Sequence, residues 1–161
     1  MNSLFSEMCQ PVKGLAPAAD RWNTNPATDV VNMAKYGRVA FVAHQQGGTT
    51  GTATFTVEAC TLADGTGATA IPFKYRVGGD GAGAGGDLLG AITDAAAAGF
   101  TSTAATDRLY VIEVTGDMLP AGKPFVRLKC TEAVNDPVNG AVEIFCLEPR
   151  YAGAALDSAI V

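Results

Sequence analysis

The sequence predicts a mainly β fold, an antiparallel β-sandwich or barrel of about seven short strands with an extended N-terminal arm and a Gly-rich loop. Three observations carry this. Hydrophobic residues make up 48% of the chain but aromatics only 7%, so the apolar content comes from small and β-branched side chains that suit strands. Short apolar runs are separated by glycine- and aspartate-rich turn signals. Several of those runs alternate apolar and polar residues with a period of two. At 161 residues the chain fits one domain, divided into an arm (1–27), a β-sandwich (28–151) and a C-terminal tail (152–161).

The arm is expected because Cys9-Gln10-Pro11-Val12-Lys13-Gly14-Leu15-Ala16-Pro17-Ala18-Ala19-Asp20 shows neither a helical nor a strand period. Fully stretched, about 25 residues of such an arm reach on the order of 80 Å, enough to touch a neighbouring subunit. Ordering it costs about 1–2 kcal/mol per residue, so apolar anchors must offset that on docking. Leu4, Phe5, Val12, Leu15 and Trp22 are the candidates. On this reading, deleting residues 1–22 leaves the domain folded.

Seven runs then read as strands: 28 to 33, Arg38 to His44, Thr52 to Cys60, Ile71 to Val77, Arg108 to Thr115, Pro124 to Glu132 and Ala141 to Glu148. Gly47-Gly48-Thr49-Thr50-Gly51 offers a turn that could pair the second and third as a hairpin. Val126, Leu128 and Cys130 share one face while Arg127, Lys129 and Thr131 share the other, the pattern of a half-buried strand. Val142, Ile144 and Cys146 repeat it, although Phe145 and Leu147 make that strand apolar on both sides. Val39-Ala40-Phe41-Val42-Ala43 is also apolar on both faces, which suits a strand covered on both sides or one at a subunit contact. Between the fourth and fifth runs, the tract 78–86 is the Gly-rich loop, and Leu88 to Ala98 reads as one or two helical turns.

The chemistry-bearing motifs have plain structural readings. Gly81-x-Gly83-x-x-Gly86, with Glu113 farther on, has the form of a dinucleotide-binding turn. The preceding Phe73-Lys74-Tyr75-Arg76-Val77 alternates as a half-exposed strand, and no βαβ repeat follows, so the tract is a loop. A calcium-binding glycine-aspartate repeat would need several stacked copies, and one loose copy is present. His44 is the lone histidine, at a strand end, without a partner signature for nucleophilic catalysis. Asp64, Asp80, Asp87, Asp107, Asp117 and Asp136 sit mostly at turns, where aspartate serves the local backbone. No catalytic residue, cofactor or metal site is assigned.

Cysteines 9, 60, 130 and 146 lack CxxC spacing, which removes the usual zinc signatures. Cys130 and Cys146 share faces with aliphatic residues and read as core. Cys9 in the arm and Cys60 on the face of Thr54, Thr56 and Glu58 read as accessible, and form the candidate pair for intermolecular disulfides in an oxidising environment. The net charge of -5, with 11 scattered basic residues, speaks against nucleic-acid binding. No run approaches the ~20 apolar residues of a membrane span, and the N-terminus lacks a signal-peptide pattern, so a cytoplasmic product is expected.

The segment Pro11 to Asp20, the segment Asp29-Val30-Val31-Asn32-Met33-Ala34-Lys35-Tyr36-Gly37, Gly99-Phe100-Thr101 with Arg108-Leu109-Tyr110-Val111-Ile112-Glu113-Val114, and Glu148-Pro149-Arg150-Tyr151 together resemble head-decoration (cement) proteins of tailed bacteriophages. The resemblance covers nearly the whole chain, in sequence texture and not in catalytic signatures. It implies a β-sandwich that oligomerises, often as a trimer, on the exterior of a phage capsid assembled in the bacterial cytoplasm. Its partners would be the major capsid protein and further copies of itself, and no active site is implied. A tail or neck component is the main alternative. A carbohydrate- or small-ligand-binding sandwich ranks lower, because the single tryptophan lies in the arm and the other aromatics are mostly strand-bound. An enzyme ranks last.

Overall fold

The computed structural model describes residues 4–46, 50–79, 86–104, 107–150 and 158–160. Gly81, Gly83 and Asp80 of the glycine tract, Gly47 to Thr49, Tyr151 and most of the tail lie outside the described residues.

The described chain is almost entirely β. The strands are β1 (Cys9–Ala18), β2 (Val31–Asn32), β3 (Tyr36–Gln45), β4 (Thr52–Cys60), β5 (Thr69–Ile71), β6 (Phe73–Gly78), β7 (Thr93–Ala95), β8 (Phe100–Thr101), β9 (Arg108–Thr115), β10 (Phe125–Val134) and β11 (Gly140–Pro149). One helical turn, α1 (Phe5–Met8), precedes them, and a 3-10 turn spans Gly116–Met118. All the pairings are antiparallel. Among the described residues they form two open sheets, a six-stranded one in the order β1-β11-β3-β9-β6-β7 and a five-stranded one in the order β2-β10-β4-β5, with β8 also on β4. The eleven strands replace the seven expected, and there is no closed barrel.

The sheets pack through their inner faces around one core. Val39, Phe41, Ala43, Tyr110, Ile112, Val114, Val142 and Ile144 come from the first sheet, and Ala53, Phe55, Val57, Ala59, Val126, Leu128 and Cys130 from the second. Alternation within each strand produces this: in β9 the even-numbered residues 110, 112 and 114 are buried, while the odd ones are partly exposed. Phe55 is the aromatic hub, with Trp22, Phe100 and Tyr110 rings centred 5.4–5.5 Å from it.

Four expectations are corrected here. The segment 9–18 is no free arm but the edge strand β1, paired with β11 from Cys9↔Leu147 to Ala18↔Gly140. Its register shifts between Lys13 and Leu15, where Gly14 is required: a Cβ there would lie 2.8 Å from the Val142 carbonyl oxygen. The bulge returns Leu15 to the core side with Val12, and both pack against the core. Pro11 and Pro17 interrupt any strand period but are tolerated because β1 is an edge. Second, Trp22 is a core residue at 2% exposure, in a turn that passes through positive φ at Asp20, Thr24 and Asn25. Third, β3 and β4 are not a hairpin; they lie in different sheets. Fourth, 88–98 holds strand β7 in place of helical turns, hydrogen-bonded to β6.

The C-terminal residues complete the second sheet. Val31 bridges Ile160, Asn32 N–H donates to the Ala159 carbonyl, and Ala159 is buried.

Candidate interaction face

The two outer faces of the sandwich differ in kind. On the five-stranded sheet, the rows across β10 and β4 are Arg127–Glu58, Lys129–Thr56 and Thr131–Thr54, the last continuing to Thr101. Several of these side chains satisfy one another. Arg127 donates to Glu58 at 2.7 and 2.8 Å, and the Thr54 and Thr101 hydroxyls are 3.2 Å apart.

On the six-stranded sheet, one outer row reads Pro11, Phe145, Ala40, Glu113, Lys74, Asp94 across β1, β11, β3, β9, β6 and β7. The next reads Lys13, Glu143, Val42, Val111, Arg76. At the centre Ala40, Val42 and Val111 form an apolar strip flanked on the same two strands by Glu113 and Arg38, with charges of both signs farther out on either side. At the β1 edge, α1 stands on this face, its Phe5 ring 5.9 Å from Phe145 in an edge-on contact. Glu7 closes that turn by accepting a 2.7 Å hydrogen bond from Leu4 N–H. The result is an exposed apolar knob: Leu4 is 66%, Phe5 58% and Met8 53% exposed.

From the centre toward the opposite edge the same face is recessed. A cleft of about 330 Å³ runs from Arg38 on β3 past Glu113 and Thr115 on β9 to Lys74, Ile92 and Met118, and a second of about 350 Å³ opens at the β6–β7 edge, where Lys74, Asp94 and Met118 meet the inward-facing Phe73 and Ala95. Leu88 and Ile92 are exposed beside them.

A concavity of about 650 Å³ opens at one end of the sandwich between Ala18, His44, Asp107 and Asn139. His44 is exposed there, and Asn139 donates to Gln46 at 2.6 Å. Among the described residues, no three His, Cys, Asp or Glu side chains are placed to hold a metal ion.

The sequence-derived site residues divide. Leu4 and Phe5 lie together on the knob, whereas Val12, Leu15 and Trp22 face inward. Cys9 and Cys60, expected to be accessible, are free thiols buried at 1% and 0% exposure, so their expected accessibility is overturned. Cys60 follows the parity of the polar face, yet it ends β4 under the turn 61–67, next to the Arg127–Glu58 pair. Burial raises both thiols' pKa above the usual range. Cys130 and Cys146 are core, as their faces indicate; burial pushes Cys146 up to about 12, helped by repulsion from nearby Cys9, and Cys130 higher still.

Sequence reasoning missed Met8, Ile92 and Met118 as surface features. Phe145 and the two-sided apolarity of β3 and β11 were the signal that pointed to this face. Comparison of the chain with protein-family models, with curated proteins and with solved structures finds no match.

Proposed function

We propose that the protein is a structural virion component that binds the outer surface of a phage capsid and fastens neighbouring capsid subunits, acting through protein contacts and not through chemistry. The observation that carries this reading is the outer face of the six-stranded sheet. Its middle carries an apolar strip of Ala40, Val42 and Val111 beside Glu113 and Arg38, its margins are charged, and its N-terminal turn raises Leu4, Phe5 and Met8 into solvent. Contiguous exposed apolar surface on a rigid module, rimmed by polar groups, is what protein interfaces are built from. The resemblance in sequence texture to head-decoration proteins supplies the identity of the partner, the major capsid protein, and the site of action, the capsid exterior.

Linked contacts explain how a small module fastens a shell: each added contact gains from the effective concentration set by the others. Co-sedimentation with empty phage heads tests the reading. Retention at a fixed ratio of copies to capsid subunits, saturating with added protein, is the expected result. A protein left wholly in the supernatant would overturn it.

A further inference from the structure

We infer that the outer face of the six-stranded sheet pairs with the same face of a second copy about a two-fold axis running parallel to the strands, between β3 and β9. The inference rests on the reading of this face as a docking surface, and it names the occupant.

The register makes the face self-complementary under that operation. Rotation about such an axis exchanges β3 with β9, β11 with β6 and β1 with β7, and leaves each cross-strand row opposite itself. Val42 then meets Val111 of the second copy, because the two share a row on β3 and β9. Glu143 meets Arg76, because both lie in that same row, one strand farther out on either side. Pro11 on β1 comes over Asp94 on β7, which shares its row and is neutralised within its own chain by Lys74 at 2.6 Å. Each of these contacts is made twice, as an isologous interface requires.

The relief matches as well as the charge. Phe145 and the α1 knob above it occupy the row of Lys74, mirrored across the axis from the two clefts. The knob of one copy therefore stands over the recess lined by Ile92, Lys74 and Met118 in the other. Six strands at about 4.8 Å spacing and about eight residues at 3.4 Å give a face of roughly 700 Å². A stable interface needs about 800 Å² per partner, and α1 extends the face beyond the sheet itself.

Two-fold pairing differs from the trimer that the family resemblance implies, so solution mass separates them. Sedimentation equilibrium of the wild-type chain should give twice 16.4 kDa, falling to the monomer on dilution. Glu143→Arg should weaken the pair roughly ten-fold or more by setting like charges together, as should Arg76→Glu, and the double charge exchange should restore it. Phe5→Ser provides a variant outside the sheet: Phe5 contacts the rest of the chain through Phe145, so its loss leaves the fold intact and should also weaken pairing. A monomer at all concentrations, a trimer, or a dimer indifferent to all three single substitutions would overturn the inference. Head binding is scored apart from mass: a monomer that binds heads overturns the pairing alone, and a dimer that ignores them overturns the capsid reading alone.

Discussion

The outer faces of the two sheets are built on the same antiparallel scaffold, yet one is polar across its central rows while the other sets partly exposed apolar side chains beside its Lys74–Asp94 and Arg38–Glu148 ion pairs. On the five-stranded sheet, Glu58 is met by Arg127 at 2.7 Å and by Lys129 at 4.0 Å, and Thr54 by Thr101. On the six-stranded sheet, Val42, Val111 and Phe145 remain partly exposed, and the 58%-exposed Phe5 covers Phe145 only at its edge. The lesson is that strand alternation alone does not say which outer face will be used. What distinguishes them is whether the face carries apolar side chains that the rest of the chain leaves partly uncovered.

The inner faces bind both sheets together, and changes there should have the largest effect. Trp22→Ala removes a buried ring packed on Phe55 and should cost about 3–5 kcal/mol in urea unfolding. Deleting residues 1–22 should do more, exposing the whole β11 edge, and should leave no cooperative unfolding transition. A truncated chain with near wild-type stability would show that β1 is an appendage of the first sheet and not part of it.

High pH probes the two inner faces at once, through Cys146 in the first sheet and Cys130 in the second. Burial holds both folded-state thiols well above the ordinary value of 9.0, Cys146 at about 12. Between pH 9 and 12 the unfolded chain gives up protons that the folded chain keeps, so stability is full below pH 9 and falls as pH rises. The expected slope is about 1.4 kcal/mol per pH unit for each thiol. Equilibrium unfolding at pH 8, 9.5 and 11 measures it, and Cys146→Ala should lower it by one thiol's share, with Cys9 and Cys60 adding smaller contributions of the same sign. A flat profile would mean that these thiols are not shielded as described.

Glu58→Gln attacks the satisfied outer face. It leaves a mostly buried Arg127 without its anion and should cost about 1–2 kcal/mol, less than the loss of a fully buried pair because both groups keep some contact with water. Ile92→Ser on the open face should change stability by less than about 0.5 kcal/mol. Its effect should appear instead in the dimer dissociation measured by sedimentation. If Ile92→Ser destabilised the monomer more than Glu58→Gln, the contrast between the faces would fail.

Much of this architecture was legible in the residues. Each of the seven runs contains strand, because β-branched alternation reports directly on a sheet with one face buried. Pro72 divides one run into β5 and β6, where the chain crosses from the second sheet to the first. β1 was hidden because two prolines and the Gly14 bulge erase its period, and an edge position tolerates all three. Strands β7 and β8, with three and two residues, are too short to show any alternation, and tertiary pairing with β6 and β4 makes them extended. Of the candidate site, the two-sided apolarity of β3 and β11 was visible, but its continuity across four strands was not. Sheet order depends on contacts between residues as distant as Lys13, Glu143 and Arg76, and no local pattern records it. The burial of Cys60 failed for a similar reason, since parity describes a strand's middle and not its end, where a turn folds back over it.

The prolines of β1 have a consequence for the protein at high concentration. An edge strand of ten residues would ordinarily be a template for further strands, and a route to fibres. Pro11 and Pro17 offer no N–H to an incoming chain, and the irregular register around Gly14 bends the ladder that the chain would have to follow. Growth by strand addition is therefore blocked along this edge, which stays inert however crowded the solution becomes.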